Sequence, residues 1–115
     1  MATDLLHQFE ETDEDLGVLQ TPETRLIKWQ GPGKVVFSYS QRGNALNVHL
    51  AADKSGLKYV KQALNDFCEW GFFMYPSTTM VLGMIKRDSV ARLAKKCGFS
   101  HLFDQDGLKI YMRPR

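Results

Sequence analysis

Hydrophobic and polar residues alternate in three short blocks between residues 25 and 51, separated by turn-forming stretches that contain glycine. The blocks cover Arg25–Trp29, Lys34–Ser40 and Ala45–Ala51. A period of two residues is typical of a β-strand with one buried face, and glycine-containing turns of a few residues join antiparallel neighbours. The pattern therefore predicts an antiparallel meander of three strands.

The spacing of apolar residues then changes to three and four, which predicts two helices. The first helix covers Ser55–Trp70, and Gly71 follows as its expected C-terminal residue. The second helix begins near Asp88, a favourable N-cap residue, and stops at Gly98. Because each helix has only one apolar face, both are expected to pack on a sheet.

The apolar run Thr79–Ile85 lies between the two helices and predicts a central, buried strand. After the second helix, His101–Phe103 and Leu108–Tyr111 flank the turn sequence of residues 104–107, which indicates a hairpin. This order predicts an α/β (α+β) fold with a mixed, mostly antiparallel sheet flanked by helices. The expected main core consists of Leu64, Phe67, Leu82, Leu93 and Phe99.

Residues 1–24 differ from the rest of the chain in charge and in pattern. They contain seven acidic residues and no Lys or Arg, whereas residues 25–115 contain fifteen basic and six acidic residues, a net charge of +9. Leu5, Leu6, Phe9 and Leu16 give partial helical periodicity. We therefore predict an acidic N-terminal arm or weak helix over 1–24 and one domain over 25–115.

The basic body of the chain favours a polyanionic ligand, which could be a phosphorylated cofactor, a nucleic acid or an acidic protein. A solvated surface with a solubilising acidic tail would explain the same charges without any ligand. Nucleic acid is the weaker reading, because the basic cluster has no interleaved exposed aromatic residues for base stacking. That cluster consists of Lys86, Arg87, Arg92, Lys95 and Lys96.

Cys68 and Cys97 are too few for a disulfide framework, and both fall on the apolar faces of the predicted helices. We expect buried free thiols, which indicate a reducing compartment and predict a cytoplasmic protein. No apolar run reaches the roughly 20 residues of a membrane helix, and the acidic start lacks the features of a signal peptide. The histidines have no metal-ligand spacing with the cysteines, so no metal site is predicted.

Several segments resemble the GNAT superfamily of acyl-CoA-dependent N-acyltransferases. Val81–Phe99 looks like that family's fifth strand, last helix and Gly-Phe ending, and Ile110–Arg113 resembles its closing strand. Val48–Leu50 followed by Gly56 is similar to the fourth strand and cofactor loop of small GNAT-like proteins encoded by bacteriophages. The resemblance covers about residues 25–113 and implies a GNAT-like fold whose N-terminal half is truncated.

The resemblance implies that acetyl-CoA lies where the fourth strand splays from the fifth, with its pyrophosphate on backbone N–H groups at the start of the next helix. Gly56 matches the first glycine of the family's cofactor-loop signature. Asp53 stands where the signature has Gln or Arg, and Lys58 stands where it has a second small residue. Asp53 alternatively caps the helix without any ligand. The cofactor residues implied by the resemblance are Leu50, Ala51, Lys54, Ser55, Gly56, Leu57, Lys58, Arg87 and Arg92.

His49 is the candidate catalytic base, because it lies on the strand that the resemblance places at the acceptor site and imidazole takes up a proton near neutral pH. The alternative is a histidine that only forms hydrogen bonds within the sheet. Ala94 occupies the position of the family's general-acid tyrosine and cannot transfer a proton. Tyr111 is the nearest substitute by residue type, unless it is a core aromatic.

Two functions follow from the resemblance. The chain is either an acyl-CoA-dependent N-acyltransferase that transfers an acetyl group to an amine, or a catalytically inactive phage or prophage accessory protein that binds a host protein or nucleic acid. Because the family's acceptor side appears here only in truncated form, we expect a protein partner or a second copy of the chain to complete it. No membrane partner is expected.

Overall fold

The computed structural model describes residues 6–115, so Leu5 of the partial helical pattern lies outside the described residues. The described chain forms one sheet, two α-helices and a short 3-10 helix over Leu57–Tyr59. The helices are α1 (Val60–Met74) and α2 (Asp88–Lys96). The strands are β1 (Phe9–Glu11), β2 (Arg25–Trp29), β3 (Val35–Arg42), β4 (Ala45–Ala52), β5 (Met80–Ile85), β6 (Ser100–Gln105) and β7 (Leu108–Pro114).

The strand order in the sheet is β1-β2-β3-β4-β5-β7-β6. Every neighbouring pair is antiparallel except β4 and β5, which are parallel because α1 forms the crossover between them. This confirms the predicted mixed, mostly antiparallel sheet with flanking helices. It also confirms that Met80–Ile85 is an interior strand, since β5 lies between β4 and β7.

The weak helix predicted within residues 1–24 is wrong at Phe9–Glu11, where the chain forms strand β1 and pairs with β2. Phe9 is buried and lies edge-on to Phe37 and Phe67, with ring centroids 5.6 and 6.0 Å away. A strand of three residues is too short to show a period of its own, and its position is set by distant partners. Part of the acidic segment therefore belongs to the same sheet as the basic body.

Helix α1 starts later and ends later than its sequence pattern predicts. The 3-10 turn precedes it, and the helix runs through Gly71 to Met74 instead of ending at Gly71. A Cβ on Gly71 would lie 2.7 Å from Cδ1 of Leu46, so this glycine allows the helix to approach β4 closely. Gly71 is thus a packing residue and not a helix terminator.

Helix α2 has the predicted extent, but Asp88 does not cap it. The N-cap residue is Arg87, with no side-chain capping hydrogen bond, and Asp88 is the first helical residue. The Asp88 carboxylate instead accepts a hydrogen bond from Lys109 on β7, and this contact holds the pKa of Asp88 below its ordinary value. The helix ends before Gly98, whose φ of +89° suits glycine, as predicted.

The main core lies between the sheet and the two helices. Leu64, Phe67 and Phe99 belong to it as predicted. Leu82 does not, because side chains alternate along β5 and the core face carries Val81 and not Leu82. Leu93 is only partly buried and packs at the edge of the core.

Candidate functional site

The two parallel strands separate at their carboxyl ends. Pairing between β4 and β5 runs from Ala45–Met80 to Val48–Gly83, while β4 stays paired with β3 as far as Ala52 and β5 stays paired with β7 as far as Ile85. Beyond Val48, the edge of β4 that faces β5 therefore loses its strand partner. Such openings at the carboxyl ends of parallel strands are common ligand sites.

A cleft of about 540 Å³ occupies this opening, and we call it the β4–β5 cleft. Residues Val48–Ala52 and Gly83–Arg87 form its two strand walls, and Leu64 and Leu93 from the helices line it as well. The loop residues Gly17–Leu19 contribute to one side. Its volume and largely apolar wall are typical of a site for a small organic ligand or for the arm of a larger one.

The loop that follows β4 is closed on itself by Asp53. Its Oδ1 accepts hydrogen bonds from the Ser55 hydroxyl at 2.6 Å and from the N–H groups of Ser55 and Gly56 at 2.9 and 3.1 Å. The Ser55 hydroxyl is the main reason that the pKa of Asp53 lies below its ordinary value, and both N–H groups add to the effect. The N–H groups that the resemblance assigns to a pyrophosphate are thus bonded within the chain.

Gly56 has a packing role in this loop that needs no ligand. A Cβ on Gly56 would lie 2.1 Å from the carbonyl oxygen of Lys34, so only glycine fits here. Lys34 also donates its N–H to the Ser55 hydroxyl and accepts from the N–H of Asp53 through that carbonyl, both at 3.2 Å. The loop is therefore held against the start of β3 by hydrogen bonds, and the N–H groups that would bind a diphosphate are already occupied.

His49 lies at the cleft on β4, opposite Ser38 of β3. Its side chain is half-buried, and this burial lowers the pKa of His49 below 6.5. At pH 7 the imidazole is therefore neutral and able to accept a proton. The Ser38 hydroxyl is fully buried and has no hydrogen-bond partner among the described residues.

The other predicted catalytic residue lies apart from the cleft. Tyr111 is buried on β7 beside Gly83, its ring centroid 5.3 Å from that of His101, and it is not among the cleft-lining residues. This is the position of a core aromatic. Ala94 does line the cleft, with a side chain that carries no proton. Within the described part of the cleft wall, His49 is thus the group best suited to proton transfer.

The cofactor residues implied by the resemblance divide into two groups. Leu50, Ala51, Leu57 and Arg87 line the cleft together with His49. Those outside the cleft lining are Lys54, Ser55, Gly56, Lys58 and Arg92.

The contribution of Gly17–Leu19 was missed by the sequence analysis. Its only sequence signal is Val18, an apolar residue within an acidic segment, which is buried in the structure. Asp15 holds this loop by accepting hydrogen bonds from the N–H of Gly17 at 2.8 Å and from the Gln20 amide at 3.1 Å. Asp15 of the acidic N-terminal segment therefore helps to shape the cleft.

The cysteines do not lie in the β4–β5 cleft. Cys68 and Cys97 are free and buried, as predicted, and burial raises both thiol pKa values, that of Cys68 to about 12. Over residues 6–115, no three His, Cys, Asp or Glu side chains are arranged to hold a metal ion. Over the same residues, neither helix has the length and apolar character needed to span a bilayer.

The strand order, the crossover helix and the β4–β5 cleft define the GNAT fold of N-acetyltransferases, and comparison with solved structures agrees. A Bacillus subtilis acetyltransferase in complex with CoA matches with a TM-score of 0.65 at 14% identity, over 81% of this chain and 78% of that one. The Campylobacter jejuni N-acetyltransferase PseH matches with a TM-score of 0.64 at 13% identity, over 83% and 70% of the two chains.

An uncharacterized Bacillus halodurans protein also matches, with a TM-score of 0.65 at 13% identity, over 82% of this chain. This chain spans only 60% of that protein's length. No protein-family model and no curated protein sequence matches. The comparisons thus establish a GNAT-like fold, at identities too low to carry an activity across.

Proposed function

We propose that the chain binds an acyl thioester in the β4–β5 cleft and transfers the acyl group to an amine. The observation that carries this proposal is the separation of β4 from β5 beyond Val48 and Gly83, which opens a largely apolar cleft beside a half-buried, neutral His49. Two of the structural neighbours, the B. subtilis acetyltransferase and an aminoglycoside acetyltransferase, were solved with CoA. Acetyl-CoA is the acyl donor that the fold suggests.

The cleft has room for the narrow pantetheine arm of such a donor, whose two amide groups can pair with the unpaired edge of β4, whereas the loop at 53–56 does not fit its diphosphate. In the proposed reaction, the imidazole of His49 accepts a proton from the bound ammonium group. The free amine attacks the thioester carbonyl, a C–N bond forms, and the C–S bond breaks. The leaving thiolate takes the second proton from the nitrogen, which gives a neutral amide and a thiol, and His49 releases the first proton to solvent. Backbone N–H groups along the unpaired edge of β4 are available to stabilise the negative oxygen.

A non-catalytic binding module is the second candidate, and a specific observation favours it. The position of the general-acid tyrosine holds Ala94, and Tyr111 is buried away from the cleft. Such a module, as in a phage or prophage accessory protein, would bind a host protein, a nucleic acid or a second copy of the chain. Free buried Cys68 and Cys97 support a cytoplasmic location for either candidate.

Ligand-induced thermal stabilisation distinguishes the two candidates. We expect acetyl-pantetheine, at about 100 times its dissociation constant, to stabilise the wild type by about 2.7 kcal/mol. A matched variant is Gly83→Leu, because a Cβ there meets only Phe99 at 3.9 Å while a longer side chain enters the cleft. This variant should fold and show no stabilisation. Equal stabilisation of both proteins, or of neither, would contradict binding in the cleft.

A further inference from the structure

The loop between β4 and the 3-10 helix contains a carboxylate, that of Asp53, which accepts hydrogen bonds from N–H groups of the same loop. The N–H groups of Ser55 and Gly56 donate to the Asp53 carboxylate, and the N–H of Leu57 donates to the Asp53 carbonyl at 3.2 Å. Three consecutive N–H groups are thus bonded to one residue of the chain. A ligand anion could reach the N–H of Ser55 only by displacing the carboxylate, which would remain nearby and repel it.

The cation that acts on the Asp53 carboxylate is itself paired with another carboxylate. Lys34, the cation that acts on the Asp53 carboxylate, is paired through its Nζ with Glu14 at 3.0 Å. Its backbone is also bonded to Ser55 and Asp53, which fixes the loop against β3. Gly56 is buried beneath the Lys34 carbonyl, so the loop has little freedom to open around a larger group.

From these contacts we propose that the Asp53 carboxylate occupies the place that the diphosphate of an acyl donor would otherwise take. The cleft then binds acyl groups carried on a pantetheine arm equally well whether or not the donor has a diphosphate. This inference rests on the proposed function and narrows its substrate class. The acyl donor is recognised by its arm in the apolar cleft. A diphosphate, where the donor has one, contributes nothing to affinity at this loop.

The test compares the calorimetric dissociation constants of pantetheine, 4′-phosphopantetheine and CoA. For the wild type we expect the three to agree within about threefold. Asp53→Ala removes the carboxylate and frees the N–H of Ser55, while the N–H of Gly56 keeps its 3.0 Å hydrogen bond to the carbonyl oxygen of residue 53. We expect CoA to bind this variant at least tenfold more tightly than pantetheine. Asp53→Asn keeps an acceptor oxygen without the charge, so its affinity for CoA should increase less than that of Asp53→Ala. Glu69→Ala, which removes an exposed carboxylate on α1, should behave as the wild type.

Four results would overturn parts of this account, and they are distinguishable. A wild type that prefers CoA over pantetheine tenfold overturns the inference and leaves the proposed function standing. The inference is also overturned if Asp53→Ala binds CoA no more tightly than pantetheine. Where that variant does not fold, the inference is overturned if Asp53→Asn shows no gain in affinity for CoA over pantetheine. Absence of pantetheine binding in every protein overturns the proposed function and the inference together.

Discussion

Replacing Phe67 by alanine is expected to lower the free energy of unfolding by about 3–5 kcal/mol, the range for a large aromatic removed from a packed core. The Phe67 ring is fully buried and stacks on Phe37, with centroids 4.9 Å apart and planes at 10°. It also contacts the rings of Phe9, Tyr39 and Trp70. The substitution leaves a cavity where α1 meets β1 and β3, and urea denaturation measures its cost.

Phe73 provides the matched control on the same helix. Its side chain is 44% exposed, so Phe73→Ala removes the same atoms with little loss of burial. We expect that variant to lie within about 0.5 kcal/mol of the wild type. Comparable losses for both variants would show that the buried face of α1 has been assigned incorrectly.

Substitution of His49 by glutamine is expected to reduce the rate of acyl transfer by a factor of about 10² to 10⁴, the usual contribution of a positioned general base. Glutamine keeps a polar side chain of similar size at the cleft but cannot take up a proton near pH 7. The matched control is His101→Gln, since His101 is an exposed residue of β6 that pairs with Asp104. That variant should retain the wild-type rate.

The pH dependence of the wild-type rate gives a second readout of the same residue. Burial favours the neutral imidazole, so the pKa of His49 lies below its ordinary value of 6.5. The decline of the wild-type rate at low pH should therefore have its midpoint below 6.5. The rate of the His49→Gln variant should not show this decline at low pH. A wild-type limb above pH 7, or a glutamine variant within threefold of the wild-type rate, would remove His49 from the mechanism.

Most of the sheet could be predicted from sequence because its strands alternate clearly and its turns are short. Strand β1 could not, because its three residues are placed by pairing with β2 and by the burial of Phe9. Gly71 shows a related limit. Glycine is a common helix terminator, yet here it serves a close contact with Leu46, which only the three-dimensional packing reveals.

Part of the candidate site could also be predicted from the sequence. The position of His49 on β4 follows from the local pattern, whereas the opening beside β5 was implied only by the family resemblance, and the structure brings the two together. The alternative reading, that Asp53 caps the helix, is wrong: Gly56 is the N-cap of the 3-10 helix, without a side-chain cap, and the Asp53 carboxylate closes the preceding loop. The sequence does not show which N–H groups a carboxylate will reach. Val18 reaches the cleft through a long-range contact that leaves no periodic signal.

The most direct test of the central claim is a titration of isotopically labelled protein with acetyl-pantetheine, followed by the chemical shifts of backbone amides. Binding in the β4–β5 cleft predicts saturable shifts centred on Leu50, Ala51 and Gly83, with small changes in the loop at 53–56. No shifts at millimolar ligand, or shifts centred on another surface such as the edge strand β6, would contradict the claim that this cleft binds the acyl donor.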